Sequence, residues 1–196
     1  MPRLIAVALL ALGFTWQGCD QPPKPIAVKS DPVPLASPPV PPGRCVRTEG
    51  KAPRRPEPKP GPDPKCPEDP GRPKLRWARV TFPHNGETLD VELAETEDQR
   101  QRGLMYRKEL PETHGMLFLF NNRGPRRFWM KNTCLPLDMM FIDGDGLIVG
   151  IEENVPTMNE NSYSVGCASQ YVLEVGAGWS RRHGVRPGNY ARFEGL

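Results

Sequence analysis

Eighteen of the chain's 25 prolines fall between Gln21 and Arg76, and that concentration decides which residues can build a core. The segment repeats Pro-Pro and X-Pro steps, contains no Phe, Tyr or Trp, and scatters its few Val, Leu and Ile. Proline removes backbone donors and favours polyproline II, and so little apolar surface cannot offset the entropy of ordering the chain. Residues 19–76 are therefore expected to be a disordered Pro-rich linker, a spacer whose upper reach from Gln21 is about 170 Å at roughly 3 Å per residue. The stretch 21–76 also carries twelve Lys/Arg against six Asp/Glu, so the chain's net charge of +3 belongs to the linker. Residues 77–196 hold thirteen basic against sixteen acidic side chains. A weakly acidic domain lacks the basic face that phosphate contacts need, which argues against nucleic acid as a partner.

Leu4 to Phe14 is an eleven-residue apolar run behind Arg3. It is too short to span a bilayer as a helix and the right length for a secretory signal core. The run leads into Trp16-Gln17-Gly18-Cys19, which resembles the end of a bacterial lipoprotein signal, whose cysteine becomes the acylated first residue of the mature chain. Trp16 departs from that pattern, since an aliphatic residue usually stands three before the cysteine. Residues 1–18 are thus expected to be a signal peptide, with Cys19 anchoring the protein to a membrane of the bacterial cell envelope, in the periplasm or at the surface. Cysteines pair in such an oxidising compartment. Cys134 and Cys167, at strand-end or loop positions of one domain, are the expected disulfide, and Cys45 and Cys66 within the spacer are a second candidate pair with nothing local to support it.

From residue 77 onward apolar and polar residues begin to alternate. Val80-Thr81-Phe82 and Glu87 to Leu93, separated by Asn85-Gly86, read as a β-hairpin. Thr96 and Gln99 form a capping box ahead of a short helix running to about Arg107, which presents Arg100, Arg102 and Arg107. Gly115 to Phe120 is continuously apolar and reads as a buried strand closed by Asn121-Asn122. Arg127 to Thr133 is expected as the next strand. Its period of two sets Phe128, Met130 and Asn132 on one face and Trp129, Lys131 and Thr133 on the other: with Phe128 and Met130 inside, Trp129, Lys131 and Thr133 point outward, and the opposite register buries Trp129 and turns Met130 out. Leu137–Ile142 and Leu147–Ile151 flank Asp143-Gly144-Asp145-Gly146, a hairpin signal, and strands over Ser169–Val175 and Tyr190–Phe193 follow, with one helical turn at Ser180–His183. The pattern predicts a mainly β fold: a compact sandwich or barrel of about eight short strands with one or two short helices.

Arg102-Gly103-Leu104-Met105-x-Arg107, Gly115-Met116-Leu117-Phe118, Phe128-Trp129-Met130-Lys131-Asn132-Thr133 with Pro136-Leu137-Asp138, and Tyr171-Val172-Leu173-Glu174 with Gly178 occur in this order. Together they resemble domain of unknown function family 192 (DUF192) over nearly the whole of Phe82 to Phe193. The resemblance implies a small, mainly β domain of roughly sandwich type, often exported, and brings no established activity.

Phe128 to Asp138 concentrates rings, a thioether, a cation, an amide, a hydroxyl and a carboxylate in eleven positions. Arg102, Arg107, Trp129, Lys131, Asn132, Asp138 and Glu174 are accordingly the candidates to line a surface cleft. Trp offers a flat apolar face, Asn two donors and an acceptor, and Arg a fork that matches carboxylate or phosphate. Such a set suits an anionic, glycan or peptide ligand. The competing reading pairs Asp138 with Arg102 or Lys131 in a buried polar network that only fixes the fold. The chain has no Gly-x-Ser-x-Gly, His-Glu-x-x-His or phosphate-cradling Gly-Lys-Ser/Thr motif, and its three histidines fall in expected turns. No metal or cofactor is expected: Asp143-Gly144-Asp145-Gly146 lacks the further ligands of a calcium loop, and six methionines of the domain read as core filling. The reading is a non-catalytic, envelope-anchored binding or accessory domain. The alternative is an envelope enzyme acting on glycan or peptide through two of Asp138, Glu152, Glu153 and Glu174. If Cys19 is the anchor, labelled fatty acid should enter the wild type and not Cys19→Ala, and equal labelling of both contradicts it.

Overall fold

The computed structural model describes residues 37–48, 50, 55–59 and 61–196. The signal core and Cys19 lie outside the described residues. Seven strands, β1 Trp77–Phe82, β2 Glu87–Ala94, β3 His114–Gly124, β4 Leu137–Ile142, β5 Ile148–Val155, β6 Ser169–Gly176 and β7 Arg192–Glu194, form one sheet in the order β5-β4-β6-β3-β2-β1-β7. Helices α1 Glu97–Arg102 and α2 Trp179–Arg182 complete the mainly β fold. Among the described strands only β2 and β3 pair in parallel, because the chain between them carries α1 and returns over the sheet.

The two edges of this sheet meet. Ile148 N–H donates to the Asn189 carbonyl at 2.9 Å and Ala191 N–H to the Gly146 carbonyl at 2.8 Å, so β5 and the run into β7 close a barrel. Gly146 is required at this seam: its φ is +88°, and a Cβ there would collide with the Ala191 carbonyl. Inside the barrel Leu89, Val91, Leu117, Met140, Leu173 and Val175 pack together, with Trp179 among them. The Trp179 indole N–H donates to the Glu112 carbonyl at 2.9 Å, which satisfies its one polar atom.

Alternation sends the intervening residues outward, and on β3, β4 and β6 these are Met116, Phe118, Met139, Phe141, Val172 and Glu174. A second core therefore lies on the outer face, where Leu104, Met130, Tyr163 and Val165 cover the apolar members of this set. Of the six methionines expected to fill the core, Met116, Met130, Met139 and Met140 are fully buried, whereas Met105 and Met158 are only half-buried.

The expected elements are altered in three places. The capping box of α1 forms, with Gln99 N–H donating to Thr96 Oγ1 at 3.3 Å and Gln99 Oε1 accepting from Thr96 N–H at 2.9 Å. The helix stops at Arg102 rather than near Arg107, because Gly103 (φ +46°) and then Tyr106 (φ 64°) turn the chain. β3 runs on through Asn121-Asn122 to Gly124. Arg127–Thr133 is not a strand: it makes a single antiparallel bridge, Phe128 to Tyr163, and Lys131-Asn132 then turns with Asn132 at φ 52°. Alternation survives to Met130, which is buried, and fails at Thr133, which the turn carries inward instead of outward.

The cysteine pairing is crossed relative to the expectation. Neither Cys134–Cys167 nor Cys45–Cys66 forms; the bridges are Cys45–Cys167 and Cys66–Cys134, each joining the Pro-rich segment to the domain. Two disulfides mark an oxidising compartment. They also correct the picture of a free spacer, for the described parts of the Pro-rich segment lie on the outer layer. Arg47 N–H donates to the Val149 carbonyl at 2.8 Å, Thr157 Oγ1 donates to Asp63 at 2.7 Å, and Val46 and Leu75 pack against the second core. A segment that cannot build its own core can share one it is tethered to. Among the described residues no helix is long and apolar enough to cross a membrane.

Spanning 122 and 68 residues, the bridges each stabilise by up to about 4–5 kcal/mol in the chain-entropy model. Peptide mapping without reductant should return Cys45 linked to Cys167 and Cys66 to Cys134; a Cys134–Cys167 peptide contradicts the fold described here.

Candidate functional site

The outer layer does not seal the sheet. Between α1, the segment Arg127–Trp129 and the outer faces of β3 and β6 lies a cavity of about 210 Å³. Leu104, Met105, Phe118 and Phe128 line it, Trp129 and Arg127 stand at one side, and Arg100 and Arg102 of α1 at the other. The walls follow from local structure. A Cβ at Gly103 would stand 3.2 Å from the Phe118 ring, tighter than ordinary contact, so the glycine lets α1 sit low on the sheet. Phe128 packs edge-on against both Phe118 and Phe141, at 4.9 and 6.0 Å between centroids. That anchor, with Met130 buried two residues later, turns Trp129 outward at 46% exposure.

Glu174 of β6 lines the same cavity while only 4% exposed. Across the sheet register it lies in a row: Glu92 on β2, Met116 on β3, Glu174, Met139 on β4, Glu152 on β5. Arg107 neutralises Glu92 at 2.6 Å. Arg47 and Arg55 neutralise Glu152 at 2.5 and 2.7 Å. Glu174 has no hydrogen-bond donor and no cation among the described residues, and burial pushes its carboxyl up to about 8. It is a neutral acid at pH 7, facing open space.

The charges at the mouth are mostly committed. Arg100 donates to Glu97 at 3.0 Å and to the Glu95 and Leu119 carbonyls. Arg102 is held by Asp69 of the Pro-rich segment and lies 4.3 Å over the Tyr106 ring. Arg127, exposed, has no such partner among the described residues and leaves one uncompensated positive charge.

Of the seven side chains singled out from the sequence, the structure brings Arg102, Trp129 and Glu174 to this cavity. The other four do not line it. Arg107 is buried on Glu92. Lys131 sits 5.3 Å over the outer Trp129 ring and pairs with Glu160 at 3.2 Å. Asn132 donates to Tyr106 Oη at 2.9 Å. Asp138 is fully buried elsewhere, accepting from the backbone N–H of Asn154, Gly178 and Ser180 at 2.8–3.0 Å. Burial raises its carboxyl and these hydrogen bonds oppose the rise. It pairs with neither Arg102 nor Lys131; its work is to fix the start of α2 against the end of β5. Sequence reasoning missed Arg127 and Phe128 as lining residues because the strand expected there assigns alternate side chains to opposite faces, whereas an irregular segment gives both to one cavity.

A family model matches residues 80–193, which include every wall of this cavity. The chain belongs to the DUF192 family, described as "Uncharacterized ACR". A crystal structure from Sinorhizobium meliloti 1021, described as a "putative transcription regulator", shares 43% identity and a TM-score of 0.61, covering 64% of this chain and all of its own. A second, from Novosphingobium aromaticivorans DSM 12444 and described as a protein of unknown function, shares 33% identity and a TM-score of 0.56, covering 60% of this chain and 84% of its own. No functionally curated protein matches the chain. The stretches of the DUF192 domain that supply the cavity, Arg102–Met105, Phe118, Phe128-Trp129 and Glu174, belong to the motifs that carry the resemblance.

An acid whose folded pKa is raised binds its proton more tightly than the unfolded chain does, so its contribution to stability is full below about 4.5 and is lost as pH rises toward about 8. Wild type should therefore lose roughly 1.4 kcal/mol per pH unit relative to Glu174→Gln over that window. Parallel stability curves for the two proteins in denaturant titrations from pH 5 to 8 contradict a raised carboxyl.

Proposed function

We propose that residues 77–196 are a non-catalytic binding or accessory domain, exported and held at the cell envelope through Cys19. Its cavity takes a small ligand that bears an anionic group, from envelope glycan or peptide. One observation carries the reading: Glu174, buried and without a partner, opens on a cavity whose outer wall is an exposed Trp129. Burying a carboxyl without a partner costs stability, and that cost has no structural return here. An exposed ring beside a cavity provides a flat apolar face for a sugar or side chain, and Arg127 provides the charge that selects an anion.

The alternative, hydrolysis of glycan or peptide by paired carboxylates, needs a second carboxyl in reach of the first. Asp138 and Glu152 are bound to their own partners elsewhere, and Glu97 is the further carboxylate at the Glu174 cavity, where it holds Arg100. The regulator description of the Sinorhizobium relative is not carried over, because this chain's domain has more acidic than basic side chains and lacks the footprint of phosphate contacts.

Trp129→Ala should stay within about 1 kcal/mol of wild-type stability, as an exposed position permits. The full chain should sediment with purified cell-wall sacculi and the variant should not. Equal sedimentation of both, or a collapse of the variant's denaturation midpoint, removes Trp129 from any binding role.

A further inference from the structure

Three buried carboxyls stand on the outer face of the sheet in a single register row, and the chain treats them differently. Glu92 and Glu152 each meet a guanidinium, and those guanidiniums come from segments laid over the sheet: Arg107 from the turn after α1, Arg47 and Arg55 from the Pro-rich segment. Over Glu174, between them, no cation of the described covering layer pairs with the carboxyl, and the cavity is left. An uncharged residue of similar shape would fill the position at less cost, and the packing around it, Met116 and Met139 on the neighbouring strands, makes no use of the carboxyl.

We propose that the ligand itself supplies the missing cation: an ammonium or guanidinium that seats on Glu174, in a small zwitterion whose anionic end meets Arg127. This rests on the binding reading above and narrows its ligand to an amino acid or short peptide carrying a basic group.

The other charged groups facing the cavity favour a zwitterion over a simple cation. Arg100, Arg102 and Arg127 repel a lone cation at the mouth, and Glu97 and Asp69 offset only the first two. A carboxylate on the same molecule meets the third. About 210 Å³ is the volume of roughly seven waters, enough for a body of amino-acid size with its apolar stretch against Phe128 and Trp129. Glu174, protonated in the empty site, becomes a carboxylate when an ammonium arrives, and its proton passes to the buffer.

The test uses the full chain with four probes, 6-aminohexanoate, hexanoate, hexylammonium and glucuronate, titrated calorimetrically at pH 7 in phosphate and in Tris. The zwitterion should bind at least tenfold more tightly than hexanoate or hexylammonium, and the heats in the two buffers should differ by the ionisation of close to one proton per ligand. Glu174→Gln, which keeps the neutral shape and should remain folded by circular dichroism, should lose the preference over hexanoate and the proton release. Arg127→Ala should lose the preference over hexylammonium. If hexanoate or glucuronate binds as well as the zwitterion, or Glu174→Gln keeps the preference, the cation on Glu174 is wrong while the cavity remains a binding site. Silence from all four probes overturns the proposal, and sedimentation with sacculi that depends on Trp129 would then leave the wider reading standing.

Discussion

Closing a sheet into a barrel hides one of its faces and leaves the other to be covered by something else, and the architecture of this protein follows from that constraint. The hydrogen bonds joining residues 146–148 to 188–191 commit Leu117, Met140 and Leu173 to the interior. They commit Met116, Met139, Phe141 and Glu174 to the outside. Leaving so much apolar surface in water would cost on the order of 25 cal/mol per Å². The cover is made from α1, Arg127–Leu135, residues 156–168 and the described part of the Pro-rich segment, none of them long enough to pack as a regular layer. Irregular covers leave seams, and the cavity above Glu174 is one of them.

The Pro-rich segment gains its place in this cover through covalent and ionic ties rather than apolar area. Its two cysteines reach Cys167 and Cys134 in the covering loops, and Arg44, Arg47 and Arg55 reach Asp143, Asp145 and Glu152 at the β4–β5 end of the barrel. The excess of basic residues that marks this segment thus meets an acidic surface of the domain. At the cavity mouth the signs are reversed: Asp69 of the segment occupies Arg102 of the domain. The segment that looks like a spacer is in this part a component of the domain and a neighbour of the site.

Much of the barrel was legible in the sequence because its signals are local. Asn85-Gly86 and Asp143–Gly146 turn where expected, the capping box at Thr96 forms, and the alternation in β2 puts Leu89, Val91 and Leu93 in the core. The site was only partly legible because its determinants are not local. Whether a carboxyl is paired depends on segments distant in sequence: Glu152 is neutralised by arginines about a hundred residues away, while Glu174 meets none. Asp138 was misplaced for the same reason, since the N–H groups it accepts come from residues 16 to 42 positions later. Disulfide connectivity failed because the Pro-rich segment was read as unable to lie on the domain, which removed the true partners from consideration.

The account turns on one proton. Glu174 is held as a neutral acid by burial without a hydrogen-bond or charge partner, and the seating of a cation on it depends on that carboxyl being unpartnered. The most direct measurement is a carbon-13 NMR titration of the Glu174 side-chain carboxyl in the folded full chain. The account predicts a carboxyl still protonated at pH 7 with a midpoint near 8. A midpoint near the ordinary glutamate value would show that a partner or water already compensates the charge, and would contradict it.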